Sequence, residues 1–210
     1  MSQQYICGQA TANAAFDSAA VYYKAGREAL GSNGWDIDRV SMLSLCSEGA
    51  NTCYIIGDSE TSSKLVAEVI RQDSTTIDDK YIVYDVKVKA HYGASEFDDA
   101  LNAAFDYRKQ LGLPTLKNSP VSKLKVVKEF IATKRLIGKR SPEDLAGLPD
   151  LTNERIVQGN RMLELALTTS FIAQPTLFPL IVFLLVKETL NHGINASSCD
   201  AFGAFGIILW

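Results

Sequence analysis

Residues 79–111, DKYIVYDVKVKAHYGASEFDDALNAAFDYRKQL, constrain the fold more than any other stretch, because they spell a helix, a short link and a second helix. Apolar residues recur at helical spacing over 80–92, and Phe97, Leu101, Ala104, Phe105 and Leu111 repeat the pattern over 96–111. Gly93-Ala94-Ser95 has the length and composition of a link between two antiparallel helices. A hairpin of this kind cannot bury its apolar face alone, so it predicts neighbours of the same kind on each side.

The chain supplies candidates for those neighbours. Residues 12–30, ANAAFDSAAVYYKAGREAL, read as a helix whose alanines permit close approach by another helix. Gly31-Ser32-Asn33-Gly34 stops it, and Trp35, Asp36 and Asp38 open a second run, VSMLSLCSEGANTCYIIG. After the turn at Gly57-Asp58, residues 59–71 form a return helix with Leu65, Val66, Val69 and Ile70 as its buried stripe. Phe16 to Ala19, Ser59 to Ser62 and Phe97 to Ala100 occupy equivalent places, 43 and 38 residues apart. Periods of this size mean stacked hairpins, in which a small residue lets two helices cross closely and an aromatic fills the gap to the next pair. The expected packing residues are Phe16, Ala19, Tyr23, Phe97, Ala100 and Ala104. The expected fold class is all-α, an α-solenoid of stacked antiparallel helix hairpins.

YICGQATANAAFDSAAVYYKAGREALGSNGW, GDSETSSKLVAEVI and GASEFDDALNAAFDYRKQLGLP resemble tetratricopeptide-type repeats, with Ala20, Tyr23, Phe97 and Ala100 at the family's small and aromatic positions. Ser59 and Ser62 depart from that pattern, and the spacing exceeds the standard repeat. The rest of the chain is similar to the helical region of large multi-sensor signalling kinases. The pieces carrying this similarity are Leu111-Gly112-Leu113-Pro114, the basic segment 134–140, Leu148-Pro149-Asp150-Leu151-Thr152, residues 175–178 and residues 195–205. In that family a kinase-like domain and a signal-transduction ATPase precede the helices, and a GAF domain and a histidine kinase follow. The resemblance implies a cytoplasmic, non-catalytic repeat region associated with an ATPase and a histidine kinase. No ATP-binding or phospho-acceptor motif of the family is present in this sequence to carry over.

Residues 121–138 form a basic amphipathic helix with Leu124, Val127, Ile131 and Leu136 as its apolar line. Its lysines and Arg135 suit phosphate or a lipid surface, but a solvated helix face is the default reading. Ser141-Pro142-Glu143-Asp144 starts one helix and residues 152–154 start another, which runs over 155–173. The expected domains are helical hairpins over 1–112, a linker with the basic helix over 113–151, and apolar helical hairpins over 152–210, where the pattern looks truncated.

Residues 165–186 hold 22 uncharged residues, a length that admits a membrane span. Pro175 and Pro179 favour a boundary between two helices, and a helix apolar all round suits a covered central position. The membrane-anchored protein is therefore the alternative to the scaffold.

Charge and motifs exclude other classes. With 21 basic and 24 acidic residues and no long run of one sign, a nucleic-acid partner is not expected. Cys7, Cys46, Cys53 and Cys199 are scattered and read as reduced thiols. His91 reads as a structural residue, and Glu96, Asp98 and Asp99 as an acidic turn and not a metal loop. There is no P-loop, G-x-S-x-G or H-E-x-x-H, so no enzyme, catalytic residue, cofactor or metal is expected. The expected partner is a protein or adjacent domains of the same polypeptide, with no membrane partner and with self-association through the apolar C-terminus as a further route.

Overall fold

A computed structural model describes residues 15–210. Cys7 and positions 12–14 of the first expected helix lie outside the described residues. Among the described residues the fold is all-helical, with eleven α-helices and no strand. The chain divides into two compact units, Met1–Ala90 and His91–Trp210.

The first unit holds α1 (Phe16–Leu30), the single turn α2 (Gly34–Ile37), α3 (Arg39–Ile55), α4 (Ser59–Arg71) and most of α5 (Tyr81–Gly93). Small residues bring α1 onto α3. Ala19 and Tyr23 pack on Leu45, and a Cβ at Gly49 would already touch Tyr23 and Leu65. The side chains of Asp38 and Asp58 cap α3 and α4 by accepting from the amides of Ser41 and Thr61. These bonds hold both carboxyls below the usual carboxylate range. Beneath the α3–α4 turn, the Ser62 hydroxyl donates to the Ala50 carbonyl at 2.8 Å. The core joins Met42, Cys46, Ala50 and Cys53 of α3 to Leu65, Val66 and Val69 of α4 and to Val83 and Val86 of α5.

The second unit contains α6 (Phe97–Gln110), α7 (Lys123–Ile137), α8 (Pro142–Ala146), α9 (Glu154–Ala173), α10 (Phe178–His192) and α11 (Ala196–Leu209). The apolar run 165–186 is broken at 174–177, where a tight turn ends α9 and Pro179 sits in the first turn of α10. No helix among the described residues is long and apolar enough to cross a membrane. Residues 178–186 of α10 are apolar all round, and α7, α9 and α11 pack around the helix. Gly193, at φ +111°, lets the chain after α10 pair with the segment before α9. Ile194 donates to Pro149 and accepts from Leu151, both at 2.8 Å. A Cβ on Gly193 would overlap the Pro149 carbonyl.

The division between the units runs through the 79–111 stretch. Val83 and Val86 of α5 enter the first core, whereas α6 packs against α9 with Ala100, Leu101, Ala104 and Phe105 buried.

Candidate functional site

The six packing residues named from the sequence fall three in each unit. Ala19 and Tyr23 are buried, with Phe16 half-buried at the start of α1. Ala100 and Ala104 are fully buried, and Phe97 is half-buried with its ring edge-on to Tyr92 at 5.8 Å. Four of the six are buried, two in each unit, and the six do not converge on one site.

The second unit is organised around a charge that the sequence pattern did not single out. Arg108, on the inner face of α6, is fully buried. Its Nε and Nη2 donate to the Pro114 carbonyl at 2.9 and 2.7 Å, Nη1 donates to Asn160 Oδ1 at 3.4 Å, and Nη2 lies 3.2 Å from Glu188 Oε1. One guanidinium therefore ties α6, the loop after it, α9 and α10 together. Burial pulls the Arg108 pKa down and the Glu188 carboxylate beside it opposes that shift. Gly159 makes room for this junction, because a Cβ there would overlap Leu113 and press on Arg108 Nη1. Removing one member of such a pair leaves the other charge buried and uncompensated.

Around this junction the unit presents two exposed faces of different chemistry. The first is aromatic and aliphatic and is built on α9, α10 and α11. Phe171 and Ile172 at the end of α9 are more than half exposed, as are Ile207 and Leu209 on α11, and Trp210 is fully exposed. Phe171 stacks edge-on against Phe178 at 5.3 Å. A groove of about 500 Å³ runs along Leu167, Phe171, Ile172, Phe178 and Ile207. An open cavity of about 680 Å³ lies on the other side of α11, lined by Leu145, Ile194, Phe202, Phe205 and Leu209, with Asp150, Asn195 and Ser198 at its polar side. The exposed thiol of Cys199 borders both.

The second face is the outer side of α7, and here the structure corrects the sequence reading. Leu124, Val127, Ile131 and Leu136 form the apolar line in the sequence, and an amphipathic helix packs through such a line. They are instead exposed, by 80%, 52%, 43% and 37%. The helix packs through a different stripe, Val126, Phe130, Thr133 and Ile137, which is half-buried to buried. Phe130 is the reason. Its ring meets Phe183 at 6.0 Å and Phe205 at 6.2 Å, while neighbouring Glu129 forms an ion pair with Lys187. Both stripes have helical spacing, and the aromatic one buries more area.

The reactive side chains are otherwise engaged. Burial pushes the Cys46 thiol up to about 12, which leaves it protonated and inert. His91 Nδ1 pairs with Glu96 Oε2 at 2.7 Å near the surface. Asp99 brings a third ligand-type atom within 4.8 Å of these two, so a metal ion there would have to displace the existing contact. Compared with protein-family models, curated proteins and solved structures, the chain matches none.

Proposed function

We propose that this chain is a non-catalytic helical scaffold that binds a protein partner through the aromatic face of α9, α10 and α11. The observation that supports this reading is the apolar groove along Phe171, Phe178 and Ile207, bordered by the exposed end of α11. Exposed aromatic surface next to a groove suits the apolar side of a partner helix, because aromatic anchors seated in pockets dominate interface energies. A second copy of the chain is one such partner, with its own α11 as the inserted helix. The finer architecture belongs to the same proposal: α3 with α4 and α10 with α11 are consecutive packed pairs of the kind a stacked-hairpin solenoid repeats. Relay between an ATPase and a histidine kinase within a cytoplasmic signalling protein is the role that the resemblance to multi-sensor signalling kinases adds.

The test presents the purified chain to a displayed library of amphipathic helical peptides, beside a Phe171→Ser/Ile207→Ser variant. The proposal expects apolar-faced helices to be selected and to bind the variant at least tenfold more weakly. Equal binding to both proteins, or no selection, contradicts it. Saturable, stoichiometric ATP binding in calorimetry contradicts the non-catalytic part.

A further inference from the structure

Residues 117–140 carry eight lysines and arginines and one acid, Glu129, in a chain of net charge -3. Glu129 is already paired with Lys187. The eight cations, Lys117, Lys123, Lys125, Lys128, Lys134, Arg135, Lys139 and Arg140, are all exposed. Helix stability does not account for this arrangement. Lys134 and Arg135 in the last turn complement the helix dipole, but Lys123 and Lys125 stand in the first turn, where the dipole disfavours a positive charge and no acid offsets them.

A solvated helix face does not account for it either, because that reading requires the apolar line to point inward. Leu124, Val127 and Ile131 lie at three- and four-residue steps on an exposed face about 120° round the helix from the packed stripe of Val126, Phe130, Thr133 and Ile137, in the middle of the cations. Lys123 and Lys134 flank them on one side and Lys128 and Arg135 on the other.

The geometry points to the outer face of α7 as a docking surface for an anionic lipid bilayer, with α7 lying in the plane of the headgroups. The aliphatic stripe enters the acyl boundary, and the flanking lysines extend along it to reach lipid phosphates and carboxylates. Charge complementarity selects this occupant, since clustered lysines beside an amphipathic helix are drawn to anionic lipid. Composition argues against a protein on this face. Protein interfaces are depleted in lysine and enriched in aromatics, whereas the exposed apolar residues of α7 are all aliphatic. The cations also run past both ends of a helix about 22 Å long, a spread that a lateral sheet of charge matches. The surface is separate from the aromatic face of α9 to α11, and it reverses the expectation of no membrane partner.

The test is flotation of the full chain with phosphatidylcholine vesicles, with and without phosphatidylserine. The inference expects binding only with phosphatidylserine, at least tenfold weaker for Lys128→Glu/Arg135→Glu and falling steeply as salt is raised. Leu124→Ser/Ile131→Ser is expected to weaken binding several-fold with an unchanged helical circular-dichroism spectrum, because both residues are exposed. Equal binding to phosphatidylcholine alone, or no loss in either variant, overturns it. So does preference for an acidic helical peptide or duplex RNA over the vesicles. Phe171→Ser/Ile207→Ser is expected to float like the wild type, so failure here and failure of the scaffold reading are told apart.

Discussion

In the unit Met1–Ala90 the polar junction between helices is Glu68, whose side chain is about a third exposed. It accepts from Arg27 at 2.6 Å and Trp35 at 3.0 Å, and Cys46 Sγ lies 3.6 Å away. In the unit His91–Trp210 the junction is Arg108, fully buried against Glu188, Asn160 and the Pro114 carbonyl. Both junctions join several helices, but water can replace the partners of only one of them. The difference teaches where each unit is brittle. A half-buried carboxylate that loses a partner still reaches solvent, whereas a fully buried guanidinium that loses one keeps its desolvation cost.

The largest expected effect follows from that asymmetry. Glu188→Leu is expected to cost about 3–5 kcal/mol in urea denaturation, because Arg108 then stays buried without its counter-charge. Adding Arg108→Met to that variant is expected to recover most of the loss, since an apolar pair of similar volume can replace a buried ion pair. Near-wild-type stability of Glu188→Leu alone would break the comparison. Hydrogen exchange sharpens it further, with faster exchange expected over 97–110 and 154–192 and little change over 39–71.

Next in size is a core truncation in the first unit. Leu65, buried between α3 and α4, is expected to lose about 2–4 kcal/mol on Leu65→Ala, read from the same denaturation curve. A smaller effect, of at most about 1 kcal/mol, is expected for Glu68→Gln, which keeps the shape and one acceptor of the half-buried junction. If Glu68→Gln cost as much as Glu188→Leu, the distinction between the two junctions would fail.

A further test concerns pH. The folded-state pKa of Cys46 is raised from the ordinary 9.0 to about 12 by burial, so folding favours the neutral thiol. The stability this contributes is fully present below pH 9.0 and is lost as pH rises towards about 12. Iodoacetamide at mildly alkaline pH is therefore expected to modify exposed Cys199 and spare Cys46 until the protein unfolds. Peptide mapping after a short pulse reads this directly. Early modification of Cys46 would show the first core to be more open than its packing.

Much of the helical framework was legible in the sequence. The 59–71 helix, the break near Pro175 and Pro179 and the start at Ser141-Pro142 follow from caps and prolines, which act locally. The choice of stripe on α7 was not legible. Leu124, Val127 and Ile131 alternate with Val126, Phe130 and Ile137 at the same spacing, and only the rings of Phe183 and Phe205, far along the chain, decide which goes inward. Arg108 was hidden for the opposite reason, because an arginine near a helix end reads as solvated. The available signals were Glu188 directly after the apolar run of α10 and Gly159 inside the helical pattern of α9. Neither the groove beside α11 nor the cavity on its other side could be inferred from periodicity, which says that a residue is apolar and not whether a neighbour covers it.

The most direct test of the scaffold account is hydrogen exchange on the full chain with and without a selected helical peptide. The account predicts new protection at 167–178 and 199–207, with the 123–137 helix unchanged. Protection confined to any other segment, or none at saturating peptide, would contradict it.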